Sequence, residues 1–173
     1  ISEEIPLIGI EPSAILSFRD EYLRLAENRQ EASSLAKNVF LIEEFLSAEI
    51  KKGTISSTQF SKEKKTIKIH GHCHQKAMSN VKHTFDLLNL PENFEVTIIP
   101  SGCCGMAGSF GYEKEHYEIS MQIGEQTLFP AIRKANPETI IVANGTSCRH
   151  QIKDGTQKNA HHPVSILNKF LLK

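Results

Sequence analysis

From residue 66 onward one pattern recurs three times: a short apolar run, a turn holding cysteine, and an amphipathic stretch. Strand, loop and helix in alternation predict a mostly parallel sheet with helices on both faces, an α/β fold. The first unit has a strand over 66–71 and a helix over 75–90. The second has a strand over 95–99, a glycine-rich loop reaching Gly111 and a helix over 113–134. The third has a strand over 139–143 and a helix opening near Cys148. A last helix over 163–172 carries Val164, Ile166, Leu167, Phe170 and Leu171.

Ahead of these units, the apolar run 5–10 ends at Glu11-Pro12 and reads as a short buried strand, because proline opposes its continuation. A helix over 13–25 follows, with Ser13 as its cap. A second helix over 30–51 puts Leu35, Val39, Ile42, Phe45, Leu46 and Ile50 on one stripe and stops at Gly53. Residues 53–65 are polar and read as an exposed connection. The 173 residues are 39% hydrophobic, enough to bury one core, so a single domain over 1–173 is expected. Its parts are 1–52, the connection 53–65 and the repeating units 66–173. The chain starts with Ile1 and enters strand-like sequence almost at once, which suggests a piece of a longer polypeptide.

Lys and Arg together number 20, as do Asp and Glu, which gives no electrostatic reason to expect nucleic acid or an anionic membrane. No apolar run approaches the roughly 20 residues of a membrane-spanning helix. A cytoplasmic domain is expected, with peripheral membrane association left open.

Function therefore has to be sought in a site. Cys73, Cys103, Cys104 and Cys148 each lie just beyond the carboxyl end of a strand. Parallel strands put those ends on one edge, where open α/β sheets bind their ligands. Four cysteines are too few for a disulfide scaffold and suit metal or redox use. Soft sulfur donors favour a four-iron cluster, a two-iron cluster or a structural zinc. The adjacent pair converges only on a sharply bent backbone, which Gly102, Gly105 and Gly108 supply. A cluster accepts such a pair more readily than a single ion does. Lys76 and Arg149 sit close enough in sequence to offset its charge. His70, His72 and His74 alternate around Cys73 and read either as ligands or proton carriers or as packed, hydrogen-bonded turn residues. His161 and His162 read as a cap or surface pair, and Glu11 either reaches the cysteine edge or faces solvent. A redox role for the vicinal thiols of Cys103 and Cys104 is the remaining alternative.

Three segments carry a resemblance to a known family: His70-Gly71-His72-Cys73-His74-Gln75-Lys76, Ser101-Gly102-Cys103-Cys104-Gly105-Met106-Ala107-Gly108-Ser109-Phe110-Gly111-Tyr112, and Asn144-Gly145-Thr146-Ser147-Cys148-Arg149-His150-Gln151-Ile152. They resemble the cysteine-rich CCG domain found in iron–sulfur subunits of glycolate oxidase, anaerobic glycerol-3-phosphate dehydrogenase and heterodisulfide reductase. The nearest likeness is to the carboxyl-terminal part of fusions that join an FAD-linked oxidase to a ferredoxin-like module. Gly9-Ile10-Glu11-Pro12 and Phe18-Arg19-Asp20-Glu21 look like that group too. The resemblance implies a 4Fe–4S cluster held by Cys73, Cys103, Cys104 and Cys148, with Gly102 and Gly105 in its binding loop. It also implies that FAD sits elsewhere in the parent protein, that the partners are flavin-binding and ferredoxin-like domains, and that the substrate is a 2-hydroxy acid such as D-lactate, glycolate or 2-hydroxyglutarate. The fragment alone is expected to turn over no substrate. Two positions depart from the family pattern. Gln151 stands where many CCG domains have a fifth cysteine, which speaks against a non-cubane cluster, and Ala14 stands where some relatives carry cysteine after the Glu-Pro turn. A zinc-stabilised docking module is the alternative reading.

Overall fold

The computed structural model describes residues 5–172. In chain order, β1 (Leu7–Gly9) leads into α1 (Pro12–Leu16), a 3-10 turn (Ser17–Arg19), α2 (Glu21–Leu25) and α3 (Arg29–Lys37). Then come β2 (Val39–Leu41), α4 (Ile42–Lys51), β3 (Lys65–His70), α5 (Cys73–Met78), α6 (Lys82–Leu88) and β4 (Phe94–Ile98). The remainder comprises α7 (Tyr117–Glu125), α8 (Leu128–Arg133), β5 (Ile140–Ala143), α9 (Thr146–Thr156), β6 (Ala160–His161) and α10 (Pro163–Phe170).

The main sheet has the order β4-β3-β5-β6 and all its pairings are parallel. Ile69 lies between Ile98 and Val142, and His70 pairs with Ala143, so three strands end level with one another. Side chains alternate across the sheet. Ile141 and Ala143 face a core with Leu128, Phe129, Ile132 and Ile152 from α8 and α9. Ile67, Ile69 and Val142 face the opposite core, with Leu87 and Leu88 from α6 and Ile166, Leu167 and Phe170 from α10. Helices thus cover both faces, as the strand–loop–helix pattern predicts.

The amino-terminal region differs from its sequence reading. The expected helix over 30–51 is broken at its middle: Val39–Leu41 is β2, paired in parallel with β1 as a separate two-stranded sheet. The reason lies in tertiary burial. Val39 and Leu41 are fully buried against Ile15 and Leu16, a core that a continuous helix would leave open. The expected helix over 13–25 is likewise divided, and Pro12 rather than Ser13 opens it, with Glu11 at the cap position. Arg19 joins these pieces, donating to the Val39 carbonyl at 3.1 Å and in two bonds to the Glu44 carboxylate at 2.9 and 2.6 Å.

The helices after β3 and β4 are also divided. The first ends where Ser79 leaves the helical backbone, and the Asn80 side chain accepts from the Lys82 N–H at 2.8 Å as α6 begins. The connection 53–65 is largely irregular, but Phe60 is buried and forms a bridge with Leu171. As expected of a cap, His162 accepts from the Val164 N–H at the start of α10.

Candidate metal centre

Each functional side chain is positioned by the chain segment that leaves a strand. His70 is the last residue of β3 and is buried. After it the backbone turns, His72 caps α5 by accepting from the His74 N–H at 3.1 Å, and Cys73 opens the helix at the surface. The chain leaving β4 runs through Ser101 into the double-cysteine loop. The Lys76 ammonium pins that loop by donating to the Ser101 carbonyl at 2.7 Å and the Gly102 carbonyl at 2.8 Å. The backbone then bends through Gly105, Ala107 and Gly108, all with positive φ. At Gly105 no other residue fits: φ is +101°, and a Cβ would stand 2.0 Å from the Ser120 carbonyl oxygen. Its N–H donates to Cys103 Sγ at 3.3 Å. Gly102, by contrast, has open space where a Cβ would be.

Beyond β5, Asn144 and Gly145 lead into α9, whose first turn carries Cys148. Glu11 crosses from the amino-terminal sheet and accepts from the Thr146 N–H at 2.7 Å, so it does reach the cysteine edge. Arg149 turns back onto the Ala143 and Asn144 carbonyls at 3.1 and 2.6 Å. Its charge is spent on fixing the strand end, whereas Lys76 is the cation that acts on a site thiol.

The four thiols form one connected series. Cys73 lies beside Cys103, Cys103 beside Cys104, and Cys104 beside Cys148, close enough for each to shift its neighbour's proton affinity. All four are free of disulfides. Their proton affinities alternate along the series. Donors from Cys104 and Cys73, with the Gly105 and Ala107 N–H groups, hold Cys103 well below the usual thiol range. Cys148 is brought down to about 5, first by its bond with Cys104 and further by His70. Cys104 is pushed up by bonding to Cys103 and Cys148 and by burial, and Cys73 by its bond to Cys103 and by burial. A site that favours thiolate at two of four positions before any metal arrives is chemically disposed toward soft, positively charged centres.

On the inner side, ligand atoms of His70, Cys104 and Cys148 all lie within 4.8 Å of one another, and all three residues are buried. Of the residues singled out in the sequence, Cys103 and Cys73 occupy the outer side of the same edge. Gln151, at the position of the absent fifth cysteine, is turned away: it is buried and donates to the Ser120 carbonyl and hydroxyl at 3.1 and 2.8 Å.

One pair of neighbouring residues has no signature in the sequence. Glu43, on α4, is fully buried, and neither carboxylate oxygen has a hydrogen-bond partner of regular geometry. Burial raises its pKa to about 7, with its own backbone N–H and the nearby Asn144 amide offsetting part of the shift. Both polar atoms of Asn144 likewise lack a hydrogen bond of regular geometry. Spacing offered no signal for this pair, because α4 and the end of β5 meet only in the folded chain.

Comparison with known proteins gives the site a context. The chain is 30% identical over 165 residues to D-2-hydroxyglutarate dehydrogenase of Escherichia coli, a match that covers 94% of this chain and 15% of that protein. It is 28% identical over 167 residues to a subunit of the anaerobic glycerol-3-phosphate dehydrogenase of Escherichia coli, covering 96% of this chain and 41% of that protein. D-2-hydroxyglutarate dehydrogenase of Pseudomonas putida is 28% identical over 173 residues, with 96% and 15% covered. Segments of two different kinds of dehydrogenase thus share this chain's sequence pattern. The chain spans less than half the length of each of these relatives, 15% and 41% for the two from Escherichia coli. No family model matches the chain, and no solved structure matches it significantly. Among the described residues no helix is long and apolar enough to cross a membrane.

Proposed function

We propose that Cys73, Cys103, Cys104 and Cys148 hold a 4Fe–4S cluster and that the domain relays electrons within a larger, FAD-linked 2-hydroxy-acid dehydrogenase. The observation that carries this reading is the unbroken series of thiol contacts along one sheet edge, drawn from three strand–helix turns. When bound, the cluster supplies a one-electron carrier. The chain's own residues do the rest. Gly105 aims an N–H at Cys103, the first turn of α9 favours thiolate at Cys148, and Lys76 offsets negative charge beside Cys73. Cys104 and Cys148 lie in the apolar core and keep water from the inner side. Cys73 is exposed, so electrons enter or leave on that side, facing the flavin-binding and ferredoxin-like domains of the parent protein. The free thiols fit a reducing, cytoplasmic setting.

A second reading has one observation in its favour: the compact group of His70, Cys104 and Cys148 suits a single zinc ion, as in a structural docking module. Anaerobic reconstitution followed by iron, acid-labile sulfide and zinc analysis separates the two. The cluster reading expects iron and sulfide in equal amounts. Tight binding of one zinc with no iron uptake would sink it.

A further inference from the structure

Three histidines alternate around Cys73, and the fold treats them differently. His72 is committed at both ring nitrogens: Nδ1 accepts from the His74 N–H at 3.1 Å, and Nε2 lies 3.3 Å from the Ser13 hydroxyl. Gly145 fits flat against its ring, where a Cβ would be 2.3 Å away, so His72 is a packed turn residue. His74 sits at the surface with Nε2 3.6 Å from Glu21. His70 is 1% exposed, and its Nδ1 is 2.8 Å from the Ser101 hydroxyl. Its Nε2 is buried and has no hydrogen-bond partner of regular geometry. A buried ring nitrogen with no well-formed hydrogen bond costs free energy, so the site gains from a further partner beside the Cys148 thiol that the ring already meets.

Ser101 fixes the ring's orientation. In the tautomer with the proton on Nδ1, donated to the Ser101 oxygen, Nε2 presents the lone pair that a metal-bound imidazole requires. A ring nitrogen of His70 lies within 4.8 Å of Cys104 Sγ and Cys148 Sγ. We infer that His70 is a fifth donor of the metal centre, binding iron through Nε2 in company with Cys73, Cys103, Cys104 and Cys148, and that Ser101 is its positioning residue. The inference deepens the iron–sulfur reading and rests on it for the four companion thiolates. It also gives the departure at Gln151 a counterpart. The position along α9 that would carry a fifth thiolate is committed to Ser120, while β3 offers a neutral nitrogen on the inner side of the same site. A neutral imidazole in place of a thiolate lowers the negative charge on the centre and raises its potential.

The test begins with wild-type protein carrying histidine labelled in the ring with the heavy nitrogen isotope, reconstituted anaerobically and reduced. Pulsed EPR is expected to show a strong, isotope-sensitive nitrogen coupling that survives His72→Ala and disappears in His70→Ala. Iron- and sulfide-loaded wild-type protein without that coupling overturns the fifth donor while leaving the cluster intact, and needs no variant to fold. Absence of iron and sulfide defeats the cluster reading instead, and the donor is then read with Co(II) added to the metal-free protein. There His70→Ala is expected to weaken Co(II) binding about tenfold or more, since loss of even an outer partner of a ligand costs about 10- to 100-fold. Ser101→Ala is expected to weaken it by a smaller factor, and His72→Ala to leave it unchanged. Equal Co(II) affinity in wild type and a folded His70→Ala protein overturns the inference.

Discussion

Glu43→Gln is predicted to remove a pH dependence of stability whose size follows from the burial of one carboxyl group. In the folded protein Glu43 takes up its proton at about 7 rather than 4.5. Below 4.5 both folded and unfolded chains are protonated here, and the group imposes no penalty. As pH rises, the unfolded chain ionises first, while the native carboxyl keeps its proton until about 7. The native state binds more protons throughout that window, so stability is full at low pH, falls across it and levels off above it. At about 1.4 kcal/mol per pH unit, the shift from 4.5 to about 7 amounts to about 3 kcal/mol. Urea unfolding followed by circular dichroism, on metal-free wild type and variant, measures it. Gln cannot ionise, so the stability difference between the two proteins is expected to change by about 3 kcal/mol from about pH 4 to about pH 8. Whatever constant offset the new amide introduces cancels in that comparison. Parallel pH curves for the two proteins would show that Glu43 does not carry the proton as described.

Other positions give equally direct tests. Gly105→Ala forces a methyl group onto the Ser120 carbonyl at a φ of +101°, and is expected to destabilise the protein by about 3 kcal/mol through strain and overpacking together; a change within about 0.5 kcal/mol in chemical denaturation would refute the loop geometry. Arg19→Ala leaves the largely buried Glu44 carboxylate without its cation and frees the Val39 carbonyl, with an expected loss of about 3 kcal/mol in the same assay. In the metal-free, reduced protein, Cys103 is expected to react with iodoacetamide at mildly acidic pH while the more exposed Cys73 does not, because thiolate character rather than exposure separates them. Peptide mapping that finds Cys73 alkylated first would contradict the alternation of charge along the thiol series.

The parallel sheet and its ligand-bearing edge are readable in the sequence because each strand is a short apolar run followed at once by a glycine- or cysteine-bearing turn. Neither feature depends on distant residues. The segment 30–51 shows where such reading stops. Leu35, Val39, Ile42 and Leu46 have helical spacing, yet Val39–Leu41 pairs with Leu7–Gly9, some thirty residues earlier in the chain, and periodicity cannot register that partner. β6 is two residues long, too short to show any period. Within the site, the cysteines stand out by type and position. His70 does not stand out from His72 and His74, because what separates the three is burial and the identity of their polar neighbours, Ser101, Ser13 and Glu21. Glu43 is further removed still: its neighbour Asn144 comes from a strand end about a hundred residues away in the chain.

An iron–sulfur cluster held by the four thiols along the β3, β4 and β5 ends is the proposal, and the visible absorbance of the anaerobically prepared protein before and after reduction with dithionite tests it. A broad brown absorbance that bleaches on reduction is expected, with a paramagnetic signal appearing as it does so, and loss of both in Cys104→Ser and Cys148→Ser. A colourless protein that binds zinc at the same cysteines, and stays colourless after reconstitution with iron and sulfide, would contradict it.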